Sequence, residues 1–207
     1  MFVTNSLIFS GVAFQNDGKI LVSGNESGDI VVYRVDANGT LDTSFNLGNG
    51  FNNTVHTIEI QSDGKILVGG YFTEFNGVVA NHLVRLNIDG SIDNTFNAGT
   101  LFGTTSNTTI YTIAVQNDGN ILIGGNFATG LKKVSSTGAS ISTFFSSGLG
   151  DFVRVIKIQP DGKILIGRSS SGVNDSTFPS TSGSLRRYTS TGSLDGTFTS
   201  LTYNGGI

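Results

Sequence analysis

The chain has 207 residues, and Gly (29), Ser (24), Thr (23) and Asn (19) make up nearly half of it, a composition that favours turns and short strands over helices. Hydrophobic residues still reach 37%, with 15 Phe and 5 Tyr, and only 13% are charged, so whole-chain disorder and a coiled coil are excluded. With 12 Lys+Arg against 15 Asp+Glu and no basic run longer than a pair, nothing follows a phosphate backbone and no nucleic-acid partner is expected; zero Cys excludes disulfides and thiolate chemistry.

In chain order, the first strand is expected where Val12 and Phe14 flank Ala13, a period-two alternation that fits a strand with a more exposed second face. Gln15-Asn16-Asp17-Gly18 then reads as a three-residue hairpin loop with Gly18 in the left-handed region. Ile20-Leu21-Val22 follows without alternation, as in a strand covered on both faces. Arg34-Val35 opens a third strand, Asn38-Gly39 a turn, and a short outer strand ends at Phe45.

The same order returns three times. Gln15 is matched by Gln61, Gln116 and Gln159, at spacings of 46, 55 and 43, each followed by Asp-Gly and an apolar run such as Ile66-Leu67-Val68, Ile121-Leu122-Ile123 and Ile164-Leu165-Ile166. The equivalent turn glycines are Gly64, Gly119 and Gly162, and Pro160 takes the place of Asn16, Ser62 and Asn117, where a type I turn accepts Pro. Arg34-Val35-Asp36-Ala37-Asn38-Gly39-Thr40-Leu41-Asp42-Thr43-Ser44-Phe45 returns as Arg85 to Phe96 and, with the frame kept, as Arg187 through Gly192 and Asp195 to Phe198. The third copy is degenerate: Lys133, Gly138 and Phe144 align, but Ile141 stands where the others carry Asp. The units run approximately over 7–53, 54–108, 109–151 and 152–207 of a single domain, 1–207.

About four antiparallel strands per unit, with an inner strand covered on both sides, is what a β-propeller blade requires, since blades stack face to face. An all-β propeller of four repeats is therefore expected, closed as a four-bladed ring or forming an arc of a larger assembly. The frame Q-x-D-G-K-I-L-[VI]-G-G followed by R-L-N-x-D-G-[ST]-[LI]-D-x-[ST]-F resembles the delta-sixty repeat family, whose repeats are kelch-like and WD-like. That resemblance implies a β-propeller of largely unassigned activity, and it supplies no catalytic residues.

Candidate sites are sparse. No Gly-x-Ser-x-Gly elbow and no phosphate loop ending in Gly-Lys-Ser/Thr is present, so no catalytic residue is named and the chain is read as not an enzyme. Asp17, Asp63, Asp118 and Asp161 precede Gly in hairpins, where Asp folds back onto backbone amides. Asp36-x-Asn38-Gly39-x-x-Asp42 and Asn87-x-Asp89-Gly90-x-x-Asp93 partly imitate a calcium loop, but Thr189-x-Thr191-Gly192-x-x-Asp195 keeps the frame without those ligands, so the turn reading is preferred and no cofactor is assigned. His56 and His82 stand apart and do not form a His-rich zinc site. The recurring cations Arg34, Arg85, Lys133 and Arg187 are read as structural pairs, and Phe45, Phe96, Phe144 and Phe198 as packing between blades.

Function in a repeat fold tends to sit where the repeat is broken. The insertions around Thr100–Thr109, with Leu101 and Phe102, and Ser169–Ser184, with Val173, Phe178 and Pro179, are the candidate interaction rim. The start lacks the positive n-region of a classical signal peptide, and no apolar stretch approaches the roughly 18 residues of a membrane span. A low-charge, Gly-, Ser-, Thr- and Asn-rich chain of this kind is read as a structural or interaction module exposed on a particle or surface, such as a bacteriophage virion. Its expected partners are other structural proteins of an assembly, further copies of itself, or a surface glycan. A lectin-like adhesion module is the second reading, and a glycoside-active enzyme the third.

Overall fold

A computed structural model describes residues 7–26, 29–45, 47–98, 101–103, 108–142, 144, 152–169 and 182–204, and among these there is no helix. The strands β1 (Leu7–Phe14), β2 (Ile20–Glu26) and β3 (Asp29–Val35) form the first sheet. In the second sheet β4 (Val55–Ile60) and β5 (Ile66–Gly70) pair, a short hairpin of β6 (Glu74–Phe75) and β7 (Val78–Val79) intervenes, and β8 (Leu83–Leu86) completes the order β4-β5-β8. The third sheet joins β9 (Thr109–Val115), β10 (Ile121–Asn126) and β11 (Leu131–Val134). The fourth has β12 (Phe152–Ile158), β13 (Ile164–Ser169), β14 (Ser182–Tyr188) and β15 (Leu201–Asn204).

Turn chemistry explains why four dissimilar stretches fold alike. In each Gln-x-Asp-Gly loop the Gly amide donates to the Gln carbonyl and the Gln amide to the carbonyl after the Gly, for example 2.9 Å each around Gln61 and Gly64. Gly18, Gly64, Gly119 and Gly162 have φ of 80–85°, a region that Cβ-bearing residues rarely adopt. The third strand ends in the same device: Gly39, Gly90, Gly138 and Gly192 close turns that start at Asp36, Asn87, Ser135 and Thr189.

The outer strand expected after that turn is reduced to one bridge per repeat, Val35 to Leu41, Leu86 to Ile92, Val134 to Ser140 and Tyr188 to Leu194. Its next residues, Asp42, Asp93 and Asp195, donate backbone amides to the carbonyls of Arg34, Arg85 and Arg187, and the chain then turns toward the Phe instead of extending. Among the described residues, three of these sheets thus have three strands, and the fourth gains one more, β15. A β-bulge also recurs at Ser10, His56 and Arg154, five residues before Gln15, Gln61 and Gln159, where the register of the first pair slips.

The chain divides into two compact units, Met1–Ile110 and Tyr111–Ile207, with the division falling inside β9. In the first unit β1 and β2 pack on β4, and Leu21, Ile58, Ile66, Val68 and Leu86 form one core with Phe51, Phe72 and Phe75. Ala13 faces that core, whereas Val12 and Phe14 are 60% and 71% exposed. Their counterpart Ile58 is buried because the first sheet stacks on its face. Alternation alone does not say which face of a strand will be covered. His82, at φ 71°, lies buried beside Tyr71, and that burial lowers its pKa, leaving the ring neutral at pH 7.

In the second unit β10 packs on β12, and Leu122, Leu131, Val153, Ile156, Ile164 and Ile166 make the core. Gly124 permits this approach: a Cβ there would meet side-chain atoms of Val153 and, at 2.8 Å, Thr112. The Arg154 guanidinium lies 4.2 Å from the centroid of the Tyr111 ring.

Candidate functional site

The third strand, the Asp-Gly-Lys hairpin and the residues after the second turn converge on one constellation in three repeats. In the first, Asp42 Oδ2 accepts from Arg34 Nε at 2.8 Å and Lys19 Nζ at 2.6 Å, while Oδ1 accepts from the Ser44 amide and hydroxyl. In the second, Asp93 accepts from Arg85 Nε and Lys65 Nζ, both at 2.7 Å, and from Thr95. In the fourth, Asp195 accepts from Arg187 Nε at 2.8 Å and from Thr197, with Lys163 Nζ at 3.3 Å. Each guanidinium also covers the Phe of its own repeat, Phe45, Phe96 or Phe198, at 4.6–4.8 Å. These phenylalanines therefore brace a cation, and Phe45 also packs in the core of the first unit.

The shared carboxylates are held ionised. The Lys19 hydrogen bond, followed by those of Ser44 and Arg34, carries Asp42 well below the usual carboxylate range. Burial pushes Asp93 up, but the bonds from Lys65, Thr95 and Arg85 outweigh it and the net shift is down. The Thr197 bonds lead the downward shift of Asp195. The carboxylates before Gly bind amides two residues on, from Asp17 to Lys19, Asp63 to Lys65, Asp118 to Asn120 and Asp161 to Lys163, at 3.0–3.1 Å. Asp36 accepts the amides of Asn38 and Thr40, and Asp89 the amide and hydroxyl of Ser91. Among the described residues no group of three or more His, Cys, Asp or Glu is placed to hold a metal ion.

Repeat three departs from this pattern, and a cavity of about 500 Å³ lies there between the third and fourth sheets. Three substitutions account for it. Lys133 replaces the Arg, Ile141 the Asp and Asn120 the hairpin Lys, although the Ile141 amide still donates to the Lys133 carbonyl as its counterparts do. In the first unit Arg34 Nη1 crosses to the next repeat and donates to the Ile88 carbonyl at 2.6 Å. The equivalent carbonyl in the second unit belongs to Ser190 and is met by Gln116 Nε2, at 3.4 Å. The shorter lysine leaves the seam unfilled.

The cavity has a graded lining. Ile141, Phe144 and Ile158 supply apolar surface, Gln116, Asn117, Asp118 and Lys133 supply polar groups from repeat three, and Ser190 and Thr191 face them from repeat four. Lys133 is buried, with Nζ 4.0 Å from the Phe144 ring centroid and 3.9 Å from Asp118 Oδ2. Burial raises the Asp118 pKa, but the Asn120 hydrogen bonds and the Lys133 charge take it below the ordinary value. Gln61 Oε1 accepts from Arg85 Nη1, whereas the corresponding Oε1 atoms of Gln15, Gln116 and Gln159 are buried and meet no donor among the described residues. The sequence marks all three substitutions as breaks in the frame, yet nothing local distinguishes a decayed repeat from a vacated seam.

The expected rim is placed only in part. Leu101 is half-buried, and Phe102 is 5% exposed and so not a solvent-facing anchor; the Phe102 carbonyl accepts from the Thr108 hydroxyl. Val173, Phe178 and Pro179 lie outside the described residues.

The chain belongs to the family described as domain of unknown function (DUF5122) beta-propeller, whose profile matches residues 15–45, 61–96 and 159–198, just over half of the chain. Repeat three, which holds the cavity, falls outside the matched segments. No curated protein matches the chain. Among solved structures it is similar to a putative gluconolactonase (TM-score 0.59, 12% identity, 90% of this chain and 61% of that one). It is also similar to regucalcin, a calcium-binding protein from Agrobacterium tumefaciens (0.56, 17%, 96% and 60%). A protein of unknown function from Bacteroides caccae matches at 0.54 and 13%, over 94% and 68%. The chain thus spans about three fifths to two thirds of the length of these structures, and at such identities the likeness is one of fold.

Proposed function

We propose that this β-propeller chain is a non-enzymatic interaction module. The observation that carries this reading is the occupation of Asp42, Asp93 and Asp195, each held by two cations and a hydroxyl residue at distances that leave none of these three recurring carboxylates poised as a general acid or base. The repeated frame supplies stability, and recognition falls to the places where the frame is broken. In finer terms, the Gln-x-Asp-Gly-Lys and Arg-to-Phe elements are of the delta-sixty type, and composition supports display on a particle or surface, such as a phage virion, among other structural proteins. Glycan binding is the second reading, favoured by the half-apolar, half-polar cavity of repeat three. The test is a panel of glycosides and sugar lactones incubated with the purified chain, alongside its native mass. Binding or assembly without turnover is expected, and turnover of any panel member that is abolished by removing one carboxylate would overturn the reading.

A further inference from the structure

Repeat three keeps a buried cation while losing the carboxylate that answers it in the other repeats. Asp42, Asp93 and Asp195 each place Oδ2 2.7–2.8 Å from an arginine Nε. On the matching backbone position Ile141 presents an aliphatic side chain to the cavity, and Asp118 approaches Lys133 only to 3.9 Å. Gln116 lines the same cavity, with its Nε2 3.4 Å from the Ser190 carbonyl.

We propose that the seam between the third and fourth sheets binds a sugar bearing a carboxylate, a hexuronate unit, with its carboxylate on Lys133. The inference rests on reading the chain as a binding module and adds the site and the ligand class. The carboxylate takes the place that the repeat's own Asp fills elsewhere. The C–H face of the ring lies against Ile141, Phe144 and Ile158. Asn117, Ser190 and Thr191 at the mouth offer short neutral groups suited to several hydroxyls, a pattern that favours a polyhydroxylated ligand over an N-acylated amino acid with a single amide. At about 500 Å³ the cavity is within the range of small-molecule sites.

Calorimetric titration of the whole chain with methyl β-D-glucuronide, methyl β-D-glucoside and N-acetyl-leucine tests this. Saturable binding of the glucuronide is expected, with the glucoside and the amino acid at least tenfold weaker. Ile141→Asp returns the internal carboxylate to the conserved backbone position and should weaken glucuronide binding at least tenfold without loss of melting temperature. Lys133→Met should do the same, and if that variant does not fold, Ile141→Asp decides alone. No glucuronide binding, equal binding of the glucoside, preference for N-acetyl-leucine, or an Ile141→Asp variant that binds like the parent would overturn the proposal. Release of methanol from the glucuronide would instead overturn the non-enzymatic reading, with the ligand class intact.

Discussion

Arg34 Nη1 donates to the carbonyl oxygen of Ile88 at 2.6 Å, and the same guanidinium holds Asp42 through Nε and reaches Ser44 through Nη2. One side chain therefore ties the residues after its own turn, Asp42 and Ser44, to the turn of the neighbouring repeat. A lysine has no planar fork and cannot make these bonds at once. Arg34→Lys should destabilise the protein by about 1.5–3 kcal/mol, the usual value of hydrogen bonds to a charged group. Arg187→Lys, at a more exposed site, should cost less, and urea unfolding of the two variants measures the difference.

Asp93 is the most buried of the three shared carboxylates, paired with an Arg85 that is itself buried. Asp93→Ala leaves that guanidinium without its counter-ion and should cost about 3 kcal/mol at pH 7. Because the folded-state pKa of Asp93 lies below its ordinary value, its contribution is fully present above about pH 5 and is lost as pH falls below about 4. The melting temperature of Asp93→Ala should therefore depend on pH less steeply than that of the parent between pH 5 and 2.5. Parallel profiles would show that the pair does not drive acid sensitivity.

Gly64 has φ 84° in the turn of the hairpin that joins β4 to β5. Gly64→Val should destabilise by about 1–3 kcal/mol, since a β-branched residue is strained there. Thermal unfolding checks this directly, and an unchanged midpoint would contradict the observed turn.

Gly124 has an ordinary backbone conformation, so its requirement is space. A Cβ would press on Val153 and Thr112 where β10 meets β12, and Gly124→Ala should cost about 1–3 kcal/mol by overpacking. Gly124→Ala combined with Val153→Ala should recover part of the loss, and a double-mutant cycle in urea reads the coupling.

Asp36, Asp42, Asp89 and Asp93 are engaged with amides, hydroxyls and cations. Adding EDTA should leave the melting curve where it was. A fall of several degrees, reversed by calcium, would show that these turns hold a metal.

The turns and the strand periods were legible in the sequence because they depend on contacts only a few residues apart. Gly-centred loops at Gly18, Gly64, Gly119 and Gly162 follow from backbone sterics, and the buried runs Ile66-Leu67-Val68 and Ile121-Leu122-Ile123 follow from unbroken apolarity. The repeat also made Arg34, Arg85 and Arg187 recognisable as paired cations, although it did not name Asp42, Asp93 and Asp195 as the partners.

Tertiary structure decided what depends on stacking across tens of residues. Val12 and Ile58 occupy the same position in the repeat, yet one is open to solvent and the other buried, because coverage of a sheet face is a property of its neighbour. Phe102 reads as a solvent-facing loop anchor, yet it is buried, which its local sequence does not foretell. The cavity at Lys133 is the clearest case. Ile141 and Asn120 announce a loss in one dimension, but whether that loss closes by repacking or leaves a space depends on how far Lys133 can reach toward Ser190, 57 residues away.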